Sequence, residues 1–414
     1  MRNRTSLAVL AGGLSLLVVT GCSSGFEDDD TEQDDGGKQE LTVLIASSGA
    51  AETSAVEKAV AGYEKSSGND VRVQAAKDMN QQLGQAFAGG NPPDVFYVAS
   101  DQFANYASGG SLFPYGDQVE NAEDFPEALR QSFSYDGDLT CVPKDASSLA
   151  LAVNPKLWKA AGLTEADYPA SWAELESVAK KLTDGDVTGL VTSEEYQRLG
   201  AFMKQAGGWI TDVEQTEMTA DSPENAEALG FVKRGLQDGW WKYAKDVDAL
   251  NAGEAFGQGK AAMTIEGSWF AGQMEHDYPD TDYRLVELPD GPAGSGDLAF
   301  STCWGVAQDS AHRAAAVDLV RHLAAPEQQA AMGEGFGAIP ARESAAETYF
   351  GDHPDREPWT PAGEGMQGPV TVQGMDKVLA QLNSELLGLK GADPATILAD
   401  LQRNGEPVIE ESAK

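Results

Sequence analysis

Apolar residues fall along this chain in short unbroken runs set between amphipathic stretches. Leu41-Thr42-Val43-Leu44-Ile45-Ala46 is the first such run after residue 40, stopped by Ser47-Ser48-Gly49. Hydrophobicity without alternation predicts a strand buried on both faces, as in a parallel sheet. The period then changes. Ser54 and Glu57 form a capping box, and Val56, Val60 and Tyr63 fall on one helical face that stops at Ser67-Gly68. Val71-Arg72-Val73 predicts a second strand and Gln81–Ala88 a second helix. Asp94–Ala99 predicts a third strand after the breaker Gly89-Gly90-Asn91-Pro92-Pro93. A β-α-β-α-β order requires crossover helices over a parallel sheet.

The same alternation resumes after Leu149–Pro155. Ser171 and Glu174 form a capping box for a helix through Leu182, and Ser222-Pro223-Glu224 opens another that runs to about Asp238. Ala261–Ile265, closed by Glu266-Gly267-Ser268-Trp269, predicts a strand, as do Asp282–Leu288 and Trp304–Ala307, with a Gly/Pro-rich loop over Pro289–Gly296. Ala314–Leu323 predicts a helix. Two α/β lobes joined by several crossings fit this pattern, and the chain is too long for one ordinary core.

Ligands of open α/β sheets sit beyond the carboxyl ends of the strands. Ser47-Ser48 and Ser100-Asp101 occupy such ends, where serine and aspartate also serve as plain helix N-caps. Three of the eight tryptophans, Trp209, Trp269 and Trp304, stand at predicted element ends, where an indole face can cover a sugar ring or pack between lobes. Trp158, Trp172, Trp240 and Trp241 lie in helical patterns and read as core.

The N-terminus changes the picture of where the protein works. Arg2 and Arg4 precede the apolar run Leu7–Thr20, which is too short and too glycine-rich for a membrane span of ~20 residues. Together they describe an export signal over residues 1–21. The small residues before Cys22 resemble the lipobox of bacterial lipoproteins, which makes Cys22 the lipidated N-terminus. Two acyl chains anchor a protein to a membrane far more firmly than one. Residues 22–39, rich in aspartate and glycine, predict an acidic disordered tether. The formal net charge of −37 excludes nucleic acid and anionic lipid as partners of a general basic surface. Beyond Cys22 only Cys141 and Cys303 remain, a pair compatible with a disulfide or with two separate buried thiols.

Catalytic and metal signatures are sparse. The four histidines, His276, His312, His322 and His353, lack metal-ligand spacing, and neither a nucleophile elbow nor a P-loop occurs. Gly363, Gly365 and Gly368 match a dinucleotide fingerprint by letters, but Pro361 and Pro369 flank them and no strand precedes, so they read as a loop. Abundant carboxylates leave a glycosidase-like pair open as the alternative. No cofactor and no metal is expected.

Several segments in order carry a resemblance: Pro93-Asp94-Val95, Tyr106–Leu112, Leu149–Gly162, Ala255–Trp269, Ala338–Arg342 and a C-terminal helix pair. Together they resemble the extracellular solute-binding proteins of ABC importers, in the sugar-binding branch that includes the maltodextrin-binding protein. The resemblance implies a type II two-lobe α/β fold with a ligand cleft between the lobes and a multi-strand hinge. It divides the chain into an N-terminal lobe, 40–147 plus 297–345, and a C-terminal lobe, 148–296 plus 346–414. It also implies a monomeric, non-enzymatic receptor on the outer face of the cell membrane that hands a carbohydrate to an ABC permease; a non-sugar solute is the variant of that function. The implied cleft residues are Trp269, Asp101, Glu194, Tyr196 and the Ser47-Ser48 loop, with Ser100, Trp209, Glu266, Trp304 and Arg342 completing the expected set. Where the family carries an aromatic-Asn pair this chain has Val153-Asn154, and the aromatic expected around Gln373 is absent, so the sugar itself stays open. Because the strands holding Cys141 and Cys303 run close together in this fold, the resemblance favours a bridge between them.

Overall fold

The structure, a computed structural model, describes residues 37–361 and 365–412. The export signal 1–21, Cys22 and the acidic stretch to residue 36 lie outside the described residues. Lys38 pairs with Asp70 at 2.8 Å and the Gln39 amide donates to Asn69 at 2.9 Å, so the chain is tied in just before the first strand, Glu40–Ile45.

Five strands make the first sheet, in the order Asp70–Ala75, Glu40–Ile45, Val95–Ala99, Thr302–Val306, Val142–Pro143. The first three are parallel, and each of the last two runs antiparallel to its neighbour. The central strands are the unbroken apolar runs, whereas Asp70–Ala75 lies on an edge and keeps much of its surface in solvent. The second sheet repeats the plan: Trp241–Tyr243, Thr188–Thr192 and Ala261–Glu266 are parallel, followed by antiparallel Ala150–Val153 and Arg284–Val286. Each sheet thus receives one strand, Thr302–Val306 or Ala150–Val153, from a segment arriving from the other lobe.

Separate cores hold the two sheets. In the first lobe Leu41, Val43, Ile45, Val95 and Val306 pack on Val56, Val60 and Tyr63 of the helix Ala50–Ser67. In the second, Leu151, Leu190, Met263 and Ile265 pack on Leu175, Phe202, Phe231 and the ring of Trp241. Fully burying such a side chain is worth about 1.5–3 kcal/mol. The helices Met375–Leu386 and Pro394–Ser412 close this second core through Leu379, Leu382 and Leu398.

Three local expectations change. The first helix begins at Ala50 rather than near Ser54, because the Ser47 hydroxyl accepts from the Gly49 amide and from the Thr53 hydroxyl, while Glu52 turns back to the Ser48 amide at 2.8 Å. Trp240 and Trp241 are core residues but not helical. The helix Pro223–Asp238 stops at Gly239 in the left-handed region (φ 81°), and Trp241 opens a strand. The strand expected over Asp282–Leu288 shrinks to Arg284–Val286.

Cys141 and Cys303 are bonded, with Cα atoms 5.7 Å apart and a sequence separation of 162. Cys303 lies opposite Pro143 on adjacent antiparallel strands, which sets the spacing a bridge needs. Thiol titration of residues 37–414, denatured without reductant, is expected to leave both cysteines unreactive; two titratable thiols would contradict the bridge. Reduction is expected to cost at most about 5 kcal/mol of stability through the long loop released.

Candidate functional site

The first two segments that cross between the lobes are paired with each other. Ser147 and Phe300 exchange backbone hydrogen bonds of 2.9 and 2.7 Å, and the Lys144 amide donates to the Thr302 carbonyl at 2.7 Å. The Ser301 hydroxyl adds a bond to the Asp145 carbonyl at 2.7 Å. Above this ribbon lies a cavity of about 430 Å³. The first lobe contributes Ser48, Tyr97, Ser100, Asp101 and Tyr106, and the second Tyr196, Gln197, Trp209, Ser268 and Trp269. The return crossing supplies Phe300 and Ser301.

A buried charge cluster stands on the first-lobe side. Lys144 donates to Glu52 Oε1 at 3.2 Å and to Asp145 Oδ2, with the ammonium 4.6 Å over the Tyr97 ring. The Tyr97 hydroxyl donates to Glu52 Oε1 at 3.0 Å, and the Ser48 amide and hydroxyl both donate to Oε2 at 2.8 Å. Burial works against the Glu52 carboxylate, but Lys144 and Ser48 outweigh it and hold its pKa below the usual range. Burial works against the Lys144 ammonium too, and Asp145 and Glu52 outweigh it in turn. Both partners stay charged at neutral pH.

An aromatic wall faces this cluster. The Trp269 indole N–H donates to Glu266 Oε2 at 2.8 Å, and Arg198 Nη2 donates to the same oxygen at 2.8 Å. The Arg198 guanidinium sits 4.8 Å over the Trp269 ring, and Phe300 meets that ring edge-on at 5.7 Å. Gly267 makes the arrangement possible: a Cβ there would lie 2.3 Å from the indole. These contacts lock the ring, half-buried, against the cavity. Asp101, in the first turn of the helix Ser100–Ser108, has its pKa raised by burial and by Asp376, against the opposing effect of its own amide and that of Gln102. Tyr196 is buried across from it, its phenol pushed far up by burial and by the Asp101 and Glu195 charges.

Of the residues expected at a cleft, Ser48, Ser100, Asp101, Tyr196, Trp209 and Trp269 line this cavity. Others sit elsewhere. Ser47 caps its own loop, donating to the Gly49 carbonyl at 2.6 Å. Glu266 stands behind Trp269 as its anchor, and Glu194 does not line the cavity. Trp304 is fully buried in the first-lobe core, edge-on to Tyr97 at 4.9 Å. Its strand starts two residues earlier than expected, at Thr302, which puts the indole in mid-strand. Arg342 is also buried; it donates to the carbonyls of Ala324, Asn121 and Glu120 and covers the Phe125 ring at 4.3 Å. Residues missed from sequence are Glu52, Tyr97, Lys144, Asp145 and Phe300. The one available signal was Lys144-Asp145, two adjacent charges inside an otherwise apolar stretch. Among the described residues no group of three or more His, Cys, Asp or Glu side chains is placed to hold a metal ion.

Comparison with known proteins places this geometry among relatives. The bacterial extracellular solute-binding protein family matches residues 58–358. The diacetylchitobiose-binding protein DasA of Streptomyces coelicolor is 23% identical over 306 residues, 72% of each chain. An uncharacterized lipoprotein of Streptomyces antibioticus is 25% identical over 370 residues, covering 83% of this chain and 78% of the relative. Among solved structures, an ABC substrate-binding protein of Listeria monocytogenes in complex with cycloalternan has the same fold. Its TM-score is 0.81 at 24% identity, over 91% of this chain and 99% of that one.

Asp297 links the crossings at the edge of the site. Its Oδ1 accepts from the Leu149 amide at 3.2 Å and from the Leu298 amide at 2.6 Å. Burial raises its pKa to about 7 against these bonds. A carboxyl raised in this way contributes stability that is complete below its ordinary pKa and lost as pH rises toward 7. Asp297→Asn keeps an oxygen for both amides and does not ionise. The variant is therefore expected to show a flatter decline in melting temperature between about pH 4 and about pH 7 than the native chain. Identical slopes for the two would contradict the assignment.

Proposed function

This chain belongs to the bacterial extracellular solute-binding proteins, and on that premise we propose that it binds a sugar or short oligosaccharide between its lobes and delivers it to an ABC permease. The observation that carries the reading is the cavity over the crossing ribbon, walled by a locked indole face on one lobe and a carboxylate, Asp101, on the other. A sugar ring has an apolar C–H face for the first and hydroxyl donors for the second. The names of the relatives support a carbohydrate: the Streptomyces coelicolor protein is named for diacetylchitobiose, and the Listeria structure holds cycloalternan.

The protein acts as a monomeric receptor and not as an enzyme. Glu52 and Asp145 are counterions of Lys144, not a carboxylate pair facing each other across open space, which disfavours the glycosidase alternative. We take 40–147 with 297–345 as the N-terminal lobe and 148–296 with 346–414 as the C-terminal lobe. Rotation about the three crossings then opens and closes the cleft. Lipidation at Cys22 holds the receptor at the outer face of the membrane. The basic start and apolar run before Cys22 support this, as does the lipoprotein naming of the Streptomyces antibioticus relative. Among the described residues no helix is long and apolar enough to cross a membrane.

A thermal-shift screen of residues 37–414 against sugars is expected to find one that raises the melting temperature. A ligand at a hundred times its Kd adds about 2.7 kcal/mol. Asp101→Asn is expected to cost about 1.5–3 kcal/mol of that sugar's binding. Trp269→Leu keeps most of the apolar burial but removes the aromatic face, and is expected to bind at least about tenfold more weakly, with Trp269→Phe in between. Unchanged affinity in the Leu variant would remove Trp269 from the site. An intact sugar should be recovered after incubation; new reducing ends would overturn the receptor reading in favour of a hydrolase.

Cys22→Ala in the full chain is expected to give an unprocessed or soluble product. Unchanged membrane fractionation and mass would contradict lipid anchoring.

A further inference from the structure

Among the described residues two cations stand at the site, Lys144 in the lining and Arg198 behind it, and both are already paired. Lys144 lies between Glu52 and Asp145, and Arg198, behind the Trp269 ring, is held by Glu266 at 2.8 Å. Asp101 differs from these carboxylates. It reaches the cavity from the first lobe with no ion-pair partner among the described residues, and the charge acting on it is another carboxylate, Asp376 at the start of the helix Met375–Leu386. Glu195 adds a negative charge on the second lobe beside Arg198 and Glu266. Among the charged residues that line the cavity, Glu52, Asp101 and Asp145 are acidic and Lys144 is basic, so the balance is negative.

We infer that the cleft selects its sugar by charge, accepting neutral and amino sugars and rejecting those that carry a carboxylate, sulfate or phosphate. The inference rests on the sugar reading above and narrows it. An anionic group needs a free cation, and none faces the cavity among the described residues. Drawing Lys144 toward a ligand would strip Glu52 and Asp145 of their counterion while they remain buried, a costly exchange. Drawing Arg198 forward would release both Glu266 and the indole it supports. An anion near Asp101 meets a like charge in a partly buried cleft, where repulsion is stronger than at an exposed surface. The chain's net charge of −37 repels anions at longer range as well.

An ammonium group, by contrast, finds a single favourable place. Arg198 already occupies one face of the Trp269 ring at 4.8 Å, so a second cation on the other face would be repelled through the ring. At Asp101 the same ammonium makes a charge-assisted hydrogen bond to a carboxylate that has no cationic partner among the described residues. The amino group of the sugar therefore points to the first lobe and its apolar face to the second.

The test uses ligand sets that differ only in charge. The full chain, solubilised in detergent, is titrated calorimetrically with glucose, glucosamine and glucuronic acid, with the matching galactose and mannose sets, and with their β-1,4-linked disaccharides, at low and physiological salt. For any ring that binds, the acidic member is expected to be at least about tenfold weaker than the neutral one. The amino member should be no weaker than the neutral one, and Asp101→Asn should weaken it more than it weakens the neutral sugar. An acidic sugar bound as tightly as its neutral counterpart would overturn the charge inference and leave the sugar reading standing. An amino sugar indifferent to Asp101→Asn would overturn the placement of the ammonium. No response to any sugar, charged or not, would remove the sugar reading and this inference with it.

Discussion

Backbone pairing between the first two segments that cross from lobe to lobe is the constraint on which the rest of the structure depends. Because Ser147 pairs with Phe300 and Lys144 with Thr302, the outgoing and returning chains leave the first lobe side by side. Thr302–Val306 then enters the first sheet antiparallel to Val95–Ala99, and Ala150–Val153 enters the second antiparallel to Ala261–Glu266. The disulfide between Cys141 and Cys303 lies on the first-lobe side of the same ribbon. The cavity floor is thus made of the paired crossings, through Lys144, Asp145, Ser147, Phe300 and Ser301.

That floor also ties the two walls together. The Ser147 hydroxyl accepts from the Ser268 amide at 2.9 Å, one residue before Trp269, so the aromatic wall is anchored to the crossing. On the other side Lys144 and Asp145, which belong to the crossing, are tied to Glu52 in the first helix. Buried ion pairs add little net stability, because desolvation offsets their attraction. What this cluster does contribute is position: it fixes the first-lobe wall while leaving no cation free. Closure by rotation needs only a few backbone dihedrals in the crossings to change. The contact from the Gly374 amide to Asn105 Oδ1, 2.9 Å, is of the kind such a motion would make and break.

Much of the fold was legible because parallel strands buried on both faces appear as unbroken apolar runs, as in Leu41–Ala46 and Asp94–Ala99. Residues at the ends of such runs, Ser48, Ser100 and Asp101, could be placed near the cavity for the same reason. Where the run was misjudged by two residues, Trp304 moved from an imagined rim into the core. Lys144 and Glu52 escaped notice because 92 residues separate them, and no spacing rule links positions so far apart. Arg342 was misplaced for a related reason. Its guanidinium is satisfied by carbonyls 221 and 222 residues away, contacts that only the folded chain brings within reach.

The most direct test of the account is a crystal structure of residues 37–414 with the first sugar that raises the protein's melting temperature. The account predicts the sugar in the cavity above the Ser147–Phe300 ribbon, with a ring on the open face of Trp269 and a polar group on Asp101. A sugar bound outside this cavity, or bound within it but touching neither residue, would contradict it.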